Sequence, residues 1–192
     1  MRVKGHDRGW TVGCPTTKLP TRSESNEHSY QGSPMREILY KITERCPCMC
    51  AFCKSEHSLI MNAKNTPITL DDWIRASKTF IANGMRIAVI SGGEPLVEAR
   101  KTLEIVRFLV EQDVYVVLNA SGVTFLKKSV ATVLQGVRPS LLIFSLDSAY
   151  ASTHDTSRRV PGLFQAIFGA VEECVSELHL PVGVRFVITN QN

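Results

Sequence analysis

The sequence predicts a fold of the α/β class, with a parallel sheet and helices between its strands. Five short apolar segments of strand length alternate with longer stretches whose apolar residues recur at helical spacing. Such alternation is typical of parallel strands joined by right-handed crossovers. The predicted strands cover residues 37–43, 86–90, 114–118, 141–145 and 182–189. The predicted helices cover residues 69–83, 97–112, 125–134 and 162–178.

The first two strands differ in their patterns. In the first, apolar Ile38 and Tyr40 alternate with charged Glu37 and Lys41, as in a strand with one polar face. The second, residues 86–90, is mostly apolar, which is typical of a strand buried on both faces.

The first predicted helix has signals at both of its ends. Thr69 and Asp72 have the spacing of a capping box in which Asp replaces the usual Glu. Gly84 follows the helix at the point where the chain needs a left-handed residue. The last predicted helix, residues 162–178, keeps an apolar stripe at helical spacing over its whole length.

Charge is unevenly distributed along the chain of 192 residues, whose formal net charge is +4. Residues 1–36 hold six Lys and Arg but only three Asp and Glu, which leaves +1 for the remainder. Residues 1–34 are rich in Gly, Pro, Ser and Thr and lack an apolar period, so we expect a flexible basic tail before a core domain at 35–192. The nearly neutral core argues against a nucleic-acid interface.

The sequence also indicates the cellular compartment of the protein. It contains no apolar run of about 18 residues, so we expect no membrane span. The N-terminus lacks the apolar core of a secretion signal. Four of the six cysteines fall within eight residues, a spacing that favours metal binding in a reducing compartment over disulfides. We therefore expect a cytoplasmic protein.

Those four cysteines form one short loop after the first strand. Three thiolates on such a loop suit three irons of a cubic iron–sulfur cluster, whereas electron-transfer clusters ordinarily use four cysteines. The fourth iron would then be open to a cofactor or substrate. Structural zinc is the alternative, although zinc usually takes four ligands in two separated pairs. The cysteines are Cys46, Cys48, Cys50 and Cys53.

Polar residues, together with two glycines and a proline, follow three of the other predicted strands. Because the carboxyl ends of parallel strands meet at one edge of the sheet, where active sites lie, we expect these residues to share a site with the cysteines. They are Gly92, Gly93, Glu94 and Pro95 after the second strand, Asn119 after the third, and Ser145 and Asp147 at the fourth.

Three ordered motifs together resemble the radical S-adenosylmethionine (radical SAM) superfamily. The first is the cysteine loop, with Cys46, Cys50 and Cys53 spaced as Cys-x-x-x-Cys-x-x-Cys and an aromatic residue at Phe52. The second is the segment 92–95, Gly-Gly-Glu-Pro. The third resembles the branch of molybdopterin-precursor cyclases and SPASM-type peptide maturases, and it comprises Ser145, Asp147, His154, Asp155, Arg158, Gly162 and Phe164.

The resemblance implies a partial (β/α)6 barrel similar to a TIM barrel, of which about five βα units are visible. It implies a 4Fe–4S cluster on Cys46, Cys50 and Cys53, with S-adenosylmethionine on the open iron. Reductive cleavage of S-adenosylmethionine would give a 5′-deoxyadenosyl radical that takes hydrogen from a substrate. The cofactor-binding residues implied are Phe52, Gly92, Gly93, Glu94, Pro95, Asn119, Ser145, Asp147 and Arg158.

Each of these residues has an expected role. The two glycines let the backbone approach a ligand without a Cβ in the way, and Glu94 adds charge. The hydroxyl of Ser145 and the carboxylate of Asp147 bind ribose. Arg158 meets a carboxylate with two parallel hydrogen bonds, and Phe52 lies near the adenine.

The chain departs from the family pattern in two ways. Cys48 lies inside the motif, either as a spectator or as an alternative ligand. The family core usually has six strands, so we expect the chain to be truncated at its C-terminus, and a non-catalytic cluster- or cofactor-binding protein is an alternative to an enzyme. The expected partners are an electron donor such as a ferredoxin or flavodoxin, and a small-molecule or peptide substrate.

Overall fold

The computed structural model describes residues 36–53 and 68–189, which belong to one compact unit. The predicted tail at residues 1–34 lies outside the described residues. No helix in the described part of the chain is long and apolar enough to cross a membrane.

A single five-stranded sheet organises the domain. Its strand order follows the chain order, and every neighbouring pair is parallel. The carboxyl ends of all five strands therefore meet at one edge. The predicted α/β class and partial-barrel arrangement are confirmed. The strands are β1 (Glu37–Lys41), β2 (Ile87–Ser91), β3 (Tyr115–Ala120), β4 (Leu141–Ser145) and β5 (Val182–Arg185).

The core lies between one face of this sheet and the helices. Alternate strand residues such as Ile90, Leu118 and Phe144 are completely buried. In β2 and β4 the residues between them are half-buried, because they face the other side of the sheet, the concave one, whereas Val117 of β3 is buried. The expectation that the second strand is buried on both faces is therefore wrong: Ile87 and Val89 are half-buried on that concave side.

Five α-helices accompany the strands in the described residues. The capping box of the first is present, with Thr69 and Asp72 as predicted, and Gly84 follows it at a φ of 93°. The helices are α1 (Leu70–Ala82), α2 (Ala99–Glu111), α3 (Val130–Leu134), α4 (Ala151–Arg158) and α5 (Leu163–Ser176).

Two predicted helices differ from the structure. The helix predicted at 97–112 begins with a separate 3₁₀ turn, Pro95–Glu98, before α2. The one predicted at 125–134 is a 3₁₀ turn, Val123–Leu126, followed by the short α3. The break occurs because the side chain of Ser129 accepts a hydrogen bond from the main-chain N–H of Thr132 and starts a new helix.

Helix α4 was not predicted. Its sequence is polar and lacks an apolar stripe, so periodicity gave no signal. It nevertheless buries His154 and Arg158 completely or nearly so. Strand β5 is also shorter than predicted, and among the described strands it pairs only with β4.

Candidate functional site

A cavity of about 210 Å³ lies at the carboxyl edge of the sheet, where the loops after β1 to β4 meet. It brings together nine of the twelve predicted site residues, although they come from four separate parts of the chain. They are Cys46, Cys50, Phe52, Cys53, Gly92, Gly93, Asn119, Ser145 and Arg158.

The remaining three predicted residues do not line this cavity, and one of them, Asp147, lines a neighbouring one. Glu94 is completely buried, and Asp147 and Pro95 are also buried. Seven further residues line the cavity, and of these the sequence pattern had singled out only Cys48, as a spectator or an alternative ligand. Lys41 and Arg185 were detectable because each ends a strand on the concave face. The seven are Lys41, Glu44, Cys48, Ser91, Ala120, Ser121 and Arg185.

The cysteine thiols are free and differ in exposure. Cys48 and Cys50 are buried, Cys46 is half-buried and Cys53 is exposed. The N–H of Cys53 donates to the carbonyl oxygen of Cys50 at 3.1 Å, which closes a tight turn. Hydrogen bonding among the thiols lowers the pKa of Cys46, raises that of Cys48 to about 12 and raises that of Cys50. Negative charge is therefore favoured first on Cys46.

The arrangement of these thiols bears on the zinc alternative. Within residues 36–53 and 68–189, no three His, Cys, Asp or Glu side chains are grouped closely enough to hold a single metal ion. One tetrahedral zinc would require such a group at bond lengths near 2.3 Å. In a cubic cluster each thiolate binds a different iron, so the thiolates lie farther apart than the ligands of a single zinc ion. The described thiols are therefore not arranged as the ligands of one tetrahedral ion.

The two glycines of segment 92–95 allow close contact with another stretch of backbone. The N–H of Gly93 donates to the carbonyl oxygen of Thr43 at 2.6 Å, and that of Glu94 donates to Arg45 at 2.8 Å. A Cβ on Gly93 would lie 2.6 Å from the carbonyl oxygen of Glu44 and closer still to that of Arg45. The two glycines thus allow main-chain packing against the start of the cysteine loop, and their close approach to a ligand stays a prediction.

Glu94 connects this segment to the loop after β3. Its carboxylate accepts hydrogen bonds from the N–H of Ser121 at 2.6 Å, from the Ser121 hydroxyl, and from the N–H of Leu96 at 3.1 Å. Burial raises its pKa. The carboxylate thus holds two loops together within the protein, and its expected role of adding charge toward a ligand stays a prediction.

Arg158 and Asp147 form a buried ion pair behind the cysteine loop. Nε and Nη2 of Arg158 donate to the two carboxylate oxygens at 2.5 and 2.9 Å. The N–H of Val187 donates to the same carboxylate at 3.1 Å. Arg158 thus meets the carboxylate of Asp147 with two parallel hydrogen bonds, and a contact of Arg158 with a cofactor stays a prediction. A ribose contact from Asp147 stays a prediction.

Helix α4 attaches this ion pair to the cysteine loop. The guanidinium carbon of Arg158 lies 5.1 Å from the centre of the Phe52 ring, a cation–π contact. The N–H of Ala51 donates to the carbonyl oxygen of Ser157 at 2.9 Å. Nδ1 of His154 accepts a hydrogen bond from the N–H of Asp147 at 3.1 Å, and burial lowers the pKa of this imidazole. A neutral His154 therefore carries its proton on Nε2.

Asn119 is the residue that suits a ligand most directly. Its amide nitrogen and oxygen are both shielded from solvent and have no hydrogen-bond partner among the described residues. Because buried polar groups are normally paired, an unpaired amide on the cavity wall fits a ligand that offers both a donor and an acceptor. S-adenosylmethionine offers both, on its ribose and its amino-acid end.

Comparisons with known proteins point to one family. Residues 40–189 match the profile of the Radical SAM superfamily. The AdoMet-dependent heme synthase of Methanosarcina barkeri is 27% identical over 82% of this chain and 44% of its own length. The GTP 3′,8-cyclase of Agrobacterium fabrum is 32% identical over 48% of this chain and 26% of its own. The chain thus spans less than half the length of these relatives.

Solved structures share the fold. SuiB of Streptococcus suis, bound to its precursor peptide SuiA, superposes with a TM-score of 0.65 at 18% identity, covering 84% of this chain and 34% of SuiB. The anSMEcpe protein with bound AdoMet gives a TM-score of 0.57 at 20% identity, covering 82% of this chain and 43% of that protein. Because the family profile matches most of the sequence, including the cysteine loop and the sheet, this chain belongs to the radical SAM superfamily.

Proposed function

We propose that this chain binds a 4Fe–4S cluster through Cys46, Cys50 and Cys53, and S-adenosylmethionine in the cavity beside them. The observation that carries the proposal is the cavity itself. It gathers the three motif thiols with the unpaired amide of Asn119 and the hydroxyl of Ser145. A reduced cluster would supply the electron that cleaves S-adenosylmethionine to methionine and a 5′-deoxyadenosyl radical, which abstracts hydrogen from a substrate.

The chain's own residues would bind and orient the cofactor. Asn119 and Ser145 lie at the ends of β3 and β4 and present hydrogen-bonding groups to its ribose and amino-acid ends. The guanidinium of Arg158, held by Asp147, would lie against the ring of Phe52 and keep the end of the cysteine loop in place. The main chain at 92–93 forms the wall beside the thiols and keeps this part of the cavity narrow.

The substrate class is proposed from the relatives. The names of the curated relatives, a heme synthase and a GTP cyclase, indicate small molecules, and SuiB binds a precursor peptide. We therefore propose a small-molecule or peptide substrate. We also propose a ferredoxin or flavodoxin as electron donor, and a cytoplasmic location where thiols stay reduced.

Anaerobic reconstitution with iron and sulfide tests the proposal. We expect about four irons and four sulfides per chain, and 5′-deoxyadenosine when dithionite and S-adenosylmethionine are added. A Cys46→Ala, Cys50→Ala, Cys53→Ala triple variant should lose both, whereas Cys174→Ala, which removes a buried thiol of α5, should lose neither.

Different results would contradict the cluster assignment and the enzyme assignment. A sample that takes up zinc but no iron, or a triple variant that keeps its iron, contradicts the cluster assignment. A fully loaded wild-type chain that binds S-adenosylmethionine but yields no 5′-deoxyadenosine contradicts the enzyme assignment and leaves a binding protein.

A further inference from the structure

Arg185 is a charged residue of the cavity wall to which the proposed function gives no role. It ends β5, its side chain is exposed, and it lines the same cavity as the motif thiols. In the register of the sheet it stands beside Ser145, the last residue of β4, so both side chains lie on the concave face. The guanidinium therefore lies where the cavity is open to solvent.

The other charged side chains that line the cavity have partners of opposite charge. Lys41 forms an ion pair with Glu44 at 2.7 Å. Arg158 forms the buried ion pair with Asp147 at 2.5 Å. The guanidinium of Arg185 has no ion pair and no hydrogen bond with any residue in the described part of the chain. Among the described residues, Arg185 thus supplies the uncompensated positive charge of this wall.

The position of Arg185 in the sheet separates it from the proposed cofactor contacts. Those contacts follow the strand order, from the cysteine loop after β1 to Asn119 on β3 and Ser145 on β4. Arg185 belongs to the next strand, about 4.8 Å beyond Ser145. A molecule bound by Arg185 therefore lies beside the cofactor, at the end away from the cysteine loop. Hydrogen transfer requires the substrate to lie directly beside the cofactor.

We propose that Arg185 is a specificity-determining residue, and that the substrate carries a carboxylate or phosphate group that its guanidinium binds. The inference rests on the proposed function, because it requires S-adenosylmethionine on the contacts that end at Ser145. A guanidinium presents paired N–H donors that match two oxygens of either anionic group, and it stays charged at every physiological pH. Arg185 thus narrows the proposed small-molecule or peptide substrate to an anionic one.

The experiment measures the binding of three small probes to the anaerobically reconstituted chain, saturated with S-adenosylmethionine. Phenyl phosphate and benzoate carry the two anionic groups, and benzamide is an uncharged probe of similar shape. Isothermal titration calorimetry gives the dissociation constants. We expect wild type to bind at least one anionic probe more tightly than benzamide, and the tighter of the two identifies the group. In Arg185→Gln the affinity for that probe should fall roughly tenfold, because a charged hydrogen bond is lost, whereas benzamide binding should not change.

Two further variants and one further measurement serve as controls. Arg185→Lys keeps the charge but not the paired donors, so it should restore part of the affinity. Lys78 is an exposed cation of α1 that does not line the cavity, so Lys78→Gln lowers the net charge equally and should leave probe binding unchanged. Equilibrium dialysis should give the same affinity for S-adenosylmethionine in Arg185→Gln as in wild type. Circular dichroism and iron per chain verify folding and loading.

Several outcomes overturn the inference. Wild type that binds benzamide as tightly as both anionic probes has no anion site in this cavity. Unchanged probe binding in Arg185→Gln, or an equal loss in Lys78→Gln, shows that the site does not depend on Arg185. A loss of S-adenosylmethionine affinity in Arg185→Gln as large as the loss of probe affinity shows that Arg185 contacts the cofactor instead. Wild type that takes up no iron or binds no S-adenosylmethionine removes the proposed function as well, which distinguishes that failure from the others.

Discussion

The cysteine loop is attached to the domain at two places, and the two attachments use opposite chemistry. At residues 43–45 its start packs against Gly92 and Gly93, main chain to main chain, where no side chain fits. At residues 51–52 its end is held by α4 through one main-chain hydrogen bond from Ala51 and, mainly, through the ring of Phe52 against the buried ion pair of Asp147 and Arg158. The first attachment depends on the absence of side chains, and the second depends on particular ones. Substitutions should therefore distinguish them.

The largest effect is expected from Asp147→Asn, which breaks the side-chain attachment. It leaves the guanidinium of Arg158 buried without its counter-charge, so we expect a loss of about 3–5 kcal/mol in the free energy of unfolding. Urea denaturation of the cluster-free chain measures it. Glu104→Gln, at the exposed pair with Arg107, is the matched control and should change little. Equal losses of stability from Asp147→Asn and Glu104→Gln would show that the ion pair of Asp147 and Arg158 is not buried.

The next effect is expected from Gly93→Ala, which breaks the main-chain attachment. The added methyl group would collide with the carbonyl oxygens of residues 44 and 45, so we expect a loss of about 2–3 kcal/mol by the same measurement. Gly169→Ala in α5 adds the same group where nothing lies within 4 Å, and it should stabilise the helix by up to about 1 kcal/mol. A Gly93→Ala protein as stable as wild type would contradict the close main-chain packing at this position.

A smaller and pH-dependent effect is expected from Glu94→Gln, which alters the support behind the main-chain attachment. Burial raises the folded pKa of Glu94 above the ordinary value of 4.5. The stability that this shift contributes is fully present below 4.5 and is lost as pH rises through the folded pKa.

Gln cannot ionise, and its amide group has one acceptor oxygen, whereas Ser121 and Leu96 donate to two different oxygens of the Glu94 carboxyl group. We therefore expect Glu94→Gln to cost about 1–2 kcal/mol at pH 5 and less at pH 8, measured by urea denaturation at both values. Glu104→Gln serves again as the exposed control. A cost that grows toward pH 8 would mean that hydrogen bonds outweigh burial and that the folded pKa is lowered.

The smallest effect is expected from Phe52→Leu, which weakens only the ring contact of the side-chain attachment. Loss of the cation–π contact with Arg158 should cost about 1 kcal/mol. A double-mutant cycle with Arg158→Gln isolates that contact from the lost ring area. If the effects of the two substitutions on the free energy of unfolding are additive, Phe52 is held by packing alone.

The two attachments also differ in how well the sequence predicted them. The glycine pair and the cysteine spacing are local patterns, so both were found, although the reason for the glycines was not. The side-chain attachment depends on α4, whose polar sequence has no period, and on a pairing of residues 147 and 158 that only the folded chain brings about. The burial of Glu94 and Cys48 was missed for the same reason, since it follows from loops that are distant in sequence.

The strand order of the sheet has a consequence for biogenesis. Because each new strand is added beside the previous one, the sheet can extend in the order of synthesis as the chain leaves the ribosome. The cysteine loop gains its first attachment once β2 is in place, and its second only after α4 has emerged. A nascent chain that stops before residue 151 would thus carry its thiols on a half-anchored loop, and insertion of metal is expected to be a late step in maturation.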